Sequence, residues 1–248
     1  MLVHGLGSSY RNWDPIVPAL SAEREVIAVD LPGFGKTPPL AEVTIGTLTD
    51  ALREFLDAEG LSDADIVGSS MGARMVLELA RRGHRGTVVS LDPGGFWSDR
   101  QVAVFGATIT ASVGLVSRIQ PVLPFVTGNP VTRTLALAQF SAAPWKLPQP
   151  LVLRELRGFN AEASPSLADA RKALIHGPRQ EGAPRGSLNG KVVIGWGRQD
   201  KVTLPSEAKV AQEKFPDAEL HWFDKCGHFP HWDQPEQTVE LILRATRM

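Results

Sequence analysis

The stretch Asp-Ile-Val-Gly-Ser-Ser-Met-Gly at residues 65–72 decides how this chain is expected to fold. A short β-branched run ends in a turn with glycines two residues to either side of Ser70, and a helical pattern follows directly. This arrangement is typical of a nucleophile elbow, in which a sharp strand-to-helix turn exposes a serine hydroxyl above a sheet. The start of the following helix points its dipole at any oxyanion that forms beside the serine. A glycine-rich turn with an incidental serine is the structural alternative.

Outward from this turn, short β-branched runs alternate with longer helical patterns, as in βαβ units that build a parallel sheet. The predicted strands are residues 26–30, 66–69, 87–92, 191–196 and 220–223. The predicted helices are residues 45–58, 71–82, 205–215 and 235–247, the first of them capped by Thr44. The fold class is therefore α/β, with a mostly parallel sheet flanked by helices.

The middle of the chain breaks this alternation. Residues 101–150 contain no Asp or Glu, and only Arg118, Arg133 and Lys146 are charged. Apolar clusters separated by prolines predict short, broken helices here. We interpret residues 98–180 as a helical lid inserted into a core domain formed by residues 1–97 and 181–248. Ordinary core helices would have the same composition, since both need a dry inner face.

Composition excludes several classes of protein. The 248 residues carry 26 Lys and Arg against 27 Asp and Glu, a net charge of −1, without the basic excess typical of nucleic-acid binders. A single cysteine, Cys226, excludes an internal disulfide and a multi-cysteine zinc site. No signal-peptide pattern is visible, and the charge-free stretch at residues 101–117 is too short to span a bilayer. We expect a cytoplasmic protein with no nucleic-acid or membrane partner.

Two further motifs place titratable side chains just past predicted strands, where open α/β sheets assemble their sites. They are Gly-Arg-Gln-Asp at 197–200 and Cys-Gly-His at 226–228. The glycine-rich loop His-Gly-Leu-Gly at 4–7 could bring a backbone N–H close to a reacting carbonyl oxygen, although alone it is a common turn. In chain order, Ser70, Asp200 and His228 supply a nucleophile, an acid and a base. Two alternatives stay open: His231 as the base, and Asp92, which ends the strand at 87–92, as the acid.

With the Asp-Leu-Pro-Gly-Phe-Gly motif at 30–35, these ordered motifs make the chain similar to the α/β-hydrolase superfamily, in its small lid-bearing branch. The resemblance implies a hydrolase with a triad of Ser70, His228 and Asp200, and no metal or other cofactor. It implies that the backbone amides of Leu6 and Met71 form the oxyanion hole. Relatives with an aspartate nucleophile, the haloalkane dehalogenases and epoxide hydrolases, are excluded because position 70 is serine. Phe34 and Trp145 are the candidate substrate-binding residues.

The chain departs from this family at its start. Only three residues precede His4, so we expect either that the N-terminal β-hairpin of the family is missing or that the true start of the protein lies upstream. Without that hairpin, the strand at 26–30 would be an exposed edge, which favours association between copies. A homodimer through this edge is the expected consequence.

The predicted lid is the only part of the sequence that indicates a class of substrate. Its apolar, acid-free composition favours a small or medium, mainly apolar carboxylic ester as the small-molecule substrate. The alternative within enzymes is a carbon–carbon bond hydrolase of vinylogous diketone acids, in which Arg118, Arg133 or Lys146 would meet a carboxylate. A different class of function is a ligand-binding protein on a hydrolase scaffold.

Overall fold

The structure, a computed structural model, describes residues 1–247 and contains one six-stranded sheet. All neighbouring strands are parallel, in the order β2-β1-β3-β4-β5-β6. The strands are β1 Leu2–Val3, β2 Ala28–Val29, β3 Ile66–Ser69, β4 Val88–Leu91, β5 Val192–Gly197 and β6 Glu219–Phe223. The predicted α/β class with a parallel sheet is confirmed.

Eleven α-helices accompany the sheet within the described residues. They are α1 Val17–Ser21, α2 Ile45–Ala58, α3 Met71–Arg81, α4 Asp99–Arg118, α5 Leu123–Gly128, α6 Pro130–Leu137, α7 Gln149–Arg157, α8 Leu167–His176, α9 Glu207–Lys214, α10 Pro230–Asp233 and α11 Pro235–Ala245. Helix α2 begins as predicted, because the Thr44 and Thr47 side chains each accept the other's backbone N–H. Three short 3₁₀ helices lie at Tyr10–Trp13, Gln120–Val122 and Pro144–Lys146.

Both faces of the sheet are buried, as an all-parallel sheet requires. Successive residues of a strand point to opposite faces, so Ile66 and Val67 belong to different apolar clusters. One face packs against α2 and α3, and the other packs against α1 and α11. The strands are thereby fixed, and their carboxyl ends meet at one edge of the sheet.

The segment between β4 and β5 contains α4 to α8. The expectation of short, broken helices is wrong for α4, which runs for 20 residues because no proline lies within it. From Pro121 onward the prolines do keep the helices to between 6 and 10 residues. The division of the chain into a core and an inserted lid at 98–180 stays a prediction, and we call α4 to α8 the cap.

Among residues 1–247, no single helix is both long and apolar enough to cross a membrane. The stretch Asp99–Arg118 together with Gln120–Gly128 passes that test only as a pair bent by 70°.

Strand β2 forms one edge of the sheet, with β1 as its only neighbour among the described residues. Its two residues are fewer than the five predicted at 26–30, because β1, its partner, also contributes only two residues to the pairing. A homodimer through this edge stays a prediction.

Candidate active site

The turn after β3 holds Ser70 in a strained conformation. Ser70 has φ 57° and ψ −114°, outside the regions that non-glycine residues favour. A side chain at Gly68 would collide with the backbone of Gly72, and one at Gly72 would collide with the carbonyl oxygens of Val3 and His4. The glycines are therefore required where β1, β3 and α3 meet, and the turn holds the Ser70 hydroxyl above the sheet.

A continuous chain of hydrogen bonds joins the three side chains expected to form the triad. His228 Nε2 lies 2.8 Å from Ser70 Oγ, and His228 Nδ1 lies 2.8 Å from Asp200 Oδ2. The three residues follow β3, β5 and β6, and both His228 and Asp200 are buried. The arrangement allows His228 to accept the proton of Ser70 while Asp200 holds the imidazole in one orientation.

Thr203 and its neighbour Val202 fix the Asp200 carboxylate. Oδ2 accepts the Thr203 hydroxyl at 2.7 Å, and Oδ1 accepts the backbone N–H groups of Val202 at 2.7 Å and of Thr203 at 3.2 Å. With His228, Asp200 accepts four hydrogen bonds and donates none, which is the pattern of a carboxylate. Neither Val202 nor Thr203 was singled out from the sequence, although both directly follow the predicted acid.

Asp92, the alternative acid, lies buried at the end of β4 beside this pair. Its Oδ1 accepts the Gly197 N–H at 2.8 Å, and its Oδ2 has no hydrogen-bond partner among the described residues. Burial, reinforced by the negative charge of Asp200, raises the pKa of Asp92 well above its usual range. The geometry therefore favours Asp200, and not Asp92, as the partner of His228.

Asp92, Asp200 and His228 also have ligand atoms within 4.8 Å of one another, a spacing that a metal ion could use. Both nitrogens of His228 and both oxygens of Asp200 are already engaged in hydrogen bonds. A cation would have to displace them, so the donor set fits proton transfer better than metal ligation.

The His-Gly-Leu-Gly loop lies directly against the elbow. A side chain at Gly5 would stand 3.0 Å from Ser70 Cβ, so the chain at Leu6 passes beside the nucleophile. His4 Nε2 accepts the Leu31 N–H at 3.0 Å, so its Nδ1 carries the proton and donates to the Gly5 carbonyl at 2.7 Å. Burial lowers the pKa of His4 to about 4, which keeps the ring neutral. His4 thus fixes the loop that carries the Leu6 amide.

The second predicted oxyanion donor is the amide of Met71. Met71 is the first residue of α3, and its N–H is one of the donors that a helix leaves unpaired in its first turn. The positions of Leu6 and Met71 on two sides of Ser70 suit an oxyanion hole, and this role stays a prediction.

A buried glutamate of the cap holds the same loop from the other side. Glu155, on α7, accepts the Ser8 hydroxyl at 2.6 Å and the Asn12 amide at 2.7 Å through Oε2. Burial raises the pKa of Glu155. The Phe159 ring packs within about 3 Å of where a side chain at Gly7 would begin. The sequence contains one signal for this contact, since Glu155 is the first acidic residue after Asp99.

Asp233, at the end of α10, links the cap to residues 224–229, the loop that carries His228 and that we call the histidine loop. Its carboxylate accepts the N–H groups of Gly227 and Ala142, each at 2.7 Å, and the Ser141 hydroxyl. The His228 N–H also donates to the Phe140 carbonyl at 2.8 Å. No sequence pattern indicated the contacts of Asp233 with Ser141 and Ala142, because these partners lie some 90 residues away along the chain.

The other predicted residues lie apart from the triad chain. His231, the alternative base, donates from Nε2 to Asn12, and its ring packs on Trp13 at 4.4 Å between centroids. Burial lowers the pKa of His231 to about 3. Phe34 is fully buried with its ring edge-on to His4, whereas Trp145 is 51% exposed. Substrate binding by Phe34 and Trp145 stays a prediction.

Comparison with known proteins agrees with the fold described above. The model of the alpha/beta hydrolase family matches residues 1–241. The chain is 30% identical to the 2-hydroxymuconate semialdehyde hydrolase of Pseudomonas sp. (strain CF600), covering 98% of this chain and 84% of that protein. It is 26% identical to the 2-hydroxy-6-oxo-6-phenylhexa-2,4-dienoate hydrolase of Burkholderia cepacia, covering 98% and 85%. The carboxylesterase CesB of Bacillus subtilis shares the fold, with a TM-score of 0.70 at 20% identity over 98% of this chain and 81% of that one.

Proposed function

The chain belongs to the alpha/beta hydrolase family, and on that premise we propose that it is a serine hydrolase of small or medium, mainly apolar carboxylic esters. The observation that carries the proposal is the continuous hydrogen-bond chain from Ser70 through His228 to Asp200, with both links at 2.8 Å. Ser70 is the nucleophile, His228 is the general base and acid, and Asp200 orients the imidazole.

The reaction proceeds through an acyl-enzyme. Ser70 Oγ attacks the ester carbonyl carbon while its proton passes to His228 Nε2. The tetrahedral intermediate collapses, the C–O bond to the alcohol breaks, and His228 returns the proton to the leaving alkoxide. A water molecule then attacks the acyl carbon with His228 again accepting the proton, and Ser70 leaves with a proton from the imidazolium. Asp200 stabilises the imidazolium at each stage.

The backbone amides of Leu6 and Met71 donate hydrogen bonds to the ester carbonyl oxygen, which becomes negatively charged in the tetrahedral intermediate. Two preorganised N–H donors at such a site each contribute about 3–4 kcal/mol to the stability of the transition state. The hydrogen bonds of His4 and Glu155 support this role, because they hold the Leu6 loop from both sides.

The charges of the cap favour an ester over a substrate with a free carboxylate. Arg133 is the cap cation that is buried, and its guanidinium donates to the backbone carbonyls of Thr127, Pro144 and Trp145. It therefore fastens α5, α6 and the following turn together. Arg118 and Lys146 are exposed on the outside of the cap.

A carbon–carbon bond hydrolase is the second candidate function. It is favoured by the activities for which two relatives at 26% and 30% identity are named, a dienoate hydrolase and a muconate semialdehyde hydrolase. The triad would serve that reaction as well, since an acyl carbon is again cleaved from its neighbour. Arg133 could meet the carboxylate of such a substrate only by giving up its bonds to the backbone carbonyls.

The proposal is tested by reacting the wild-type protein and Ser70→Ala with a fluorophosphonate and measuring the intact mass. We expect one adduct on the wild type and none on the variant. With p-nitrophenyl esters of increasing chain length, Ser70→Ala should lower kcat by about four to six orders of magnitude with the fold unchanged. A loss smaller than tenfold would remove Ser70 from this role.

Parallel assays with the esters and a 2-hydroxy-6-oxo-dienoate separate the two candidate reactions. Turnover of the dienoate alone would refute the ester assignment. Tight ligand binding by folded protein that neither forms the adduct nor turns over either substrate would indicate a binding protein on this scaffold.

A further inference from the structure

The outer surface of the cap is unusually apolar. Of the nine large hydrophobic side chains that are exposed among residues 1–247, seven lie between residues 104 and 145. Phe125 is 81% exposed, Leu135 is 76% exposed and Val131 is 68% exposed. We call the set of seven the cap face; it consists of Val104, Leu115, Val122, Phe125, Val131, Leu135 and Trp145. Scattered single hydrophobic residues are normal on a surface, but a concentration on one segment marks an interaction site.

The elements that carry the cap face adjoin one another. On α4, the exposed residues Val104, Ala107, Ala111 and Leu115 repeat at helical spacing and so share one side. The opposite side of α4 is also apolar and points into the core. The 3₁₀ helix at Gln120–Val122 packs on both α4 and α5, and α5 packs on α6. Helix α4 therefore has a second apolar side, which has no partner within the described chain.

The segment that carries the cap face has charges of a single sign. No Asp or Glu occurs from residue 101 to residue 154. Arg118 and Lys146 are exposed within this range, whereas Arg133 is buried and bonded to backbone carbonyls and Arg154 is paired with Asp14. Residues 101–154 thus contribute protruding apolar side chains and exposed cations to the surface but no carboxylate.

We propose that the cap face docks on the surface of a lipid bilayer that contains anionic lipids. Such a surface offers hydrocarbon for Phe125 and Leu135 and negative headgroups for Arg118 and Lys146. A second copy of the chain fits less well, because two identical faces would bring their cations together with no carboxylate from residues 101–154 between them. Apolar residues, cations and missing carboxylates together match the bilayer.

Docking in this way would place the candidate active site beside the membrane. The segment that follows α6 contacts the histidine loop, since the Phe140 carbonyl accepts the His228 N–H at 2.8 Å. The proposal departs from the expectation of no membrane partner, which rested on hydropathy along the chain and concerned spanning rather than docking. It does not depend on the proposed hydrolase activity, because it is tested by binding alone.

The test measures binding of the full chain to sonicated vesicles by flotation. One set of vesicles is phosphatidylcholine alone, and the other is an equimolar mixture of phosphatidylcholine and phosphatidylglycerol. We expect flotation with the anionic vesicles, weakened at high salt because the Debye length shortens. Phosphatidylcholine vesicles should bind at least about tenfold less protein, since each cation near an anionic surface adds to the affinity.

Two double variants separate the two contributions. Phe125→Ser with Leu135→Ser removes the most exposed apolar groups, and Arg118→Glu with Lys146→Glu reverses the cations. Each should lower the vesicle partition coefficient by about tenfold or more without changing the melting temperature, because these side chains are exposed. The matched controls are Tyr10→Ser, an exposed apolar residue outside the cap, and Arg185→Glu with Lys209→Glu, two exposed cations outside it. Neither control should reduce binding.

Three outcomes would overturn the proposal. The first is folded protein that floats with neither vesicle. The second is flotation that both cap-face variants leave unchanged. The third is a dimer in light scattering that Phe125→Ser with Leu135→Ser dissociates, combined with no vesicle binding, which would assign the face to a second copy.

Discussion

The substitution Asp200→Asn tests whether Asp200 is the acid of the triad. The carboxylate of Asp200 accepts four hydrogen bonds through its two oxygens, whereas an amide has one oxygen that accepts and one NH₂ group that cannot. If the amide nitrogen faces His228, it meets the Nδ1–H and forces the ring into the other tautomer. Nε2 then carries a proton and cannot accept one from Ser70. If the amide nitrogen instead faces Val202 and Thr203, two backbone N–H donors lose their acceptor.

Either orientation is costly, and the first costs less stability. Leaving a buried donor unpaired costs about 1–3 kcal/mol, and the second orientation leaves two of them. The tautomer change leaves the fold intact but removes the base, so kcat should fall by about 10⁴-fold, or about 5.5 kcal/mol in the activation barrier. The assay is kcat with a p-nitrophenyl ester, together with the melting temperature.

Asp92→Asn is the matched control, one strand away. The substituted side chain would keep an oxygen for the Gly197 N–H, and its amide would replace a carboxyl group whose pKa burial raises well above its usual range. We expect kcat within about threefold of the wild type, since His228 bonds Asp200 and not Asp92. A loss with Asp92→Asn as large as that with Asp200→Asn would refute the assignment and identify Asp92 as the charged acid.

Three further perturbations test the supports of the site and the fold. Glu155→Ala should lower kcat by about tenfold, because Ser8 and Asn12 lose their hydrogen-bond acceptor. Glu155→Gln keeps an acceptor and should have a kcat close to that of the wild type, so equal losses of kcat in the two variants would contradict this role. Burial raises the pKa of Glu207 to about 8, so the contribution of Glu207 to the free energy of unfolding should fall as the pH rises from 4.5 to 8, by as much as about 5 kcal/mol. Glu207→Gln, which keeps the acceptor for the Leu204 N–H, should match the wild type in urea unfolding at pH 4.5 and exceed it at pH 9; a constant difference would contradict the shift. Gly72→Ala should lower the free energy of unfolding by about 3 kcal/mol or more. Gly128→Ala should leave the free energy of unfolding almost unchanged, because no atom beyond its chain neighbours and its own helix backbone lies within 4 Å of the added Cβ. Similar melting temperatures for the two variants would show that the elbow is not sterically tight.

Local signals explain why some elements could be predicted from the sequence. Helix α2 has its cap at Thr44 and the 3.6-residue period of Leu48, Leu52 and Leu56, so both its position and its inward face follow from neighbouring residues. The elbow is equally local, because its glycines and Ser70 lie within five residues. By contrast, the length of β2 cannot be read from its own residues. It is set by its pairing with β1, which involves only two residues of each strand.

The candidate site divides in the same way. Ser70, Asp200 and His228 could be named from the sequence because each stands in a motif directly after a predicted strand. Glu155 and Asp233 could not, since they act on residues about 145 and 90 positions away, through side-chain contacts that no local pattern encodes. The alternative base, His231, carries the same side chain as His228 three residues away, and only its place against Trp13 and Asn12 separates the two.

The sequence by itself determined the alternation of strands and helices outside the cap, the elbow and the residues that could serve as nucleophile, acid and base, because backbone propensity and steric need act over a few neighbouring residues. Only the tertiary structure decided that Asp200 rather than Asp92 lies against His228, that a cap glutamate holds the loop beside Ser70, and that α4 turns one apolar side to solvent. These outcomes depend on the burial of each group, on its distance from groups far away in the chain and on its electrostatic environment. These three properties are defined only once the sheet and the cap have assembled.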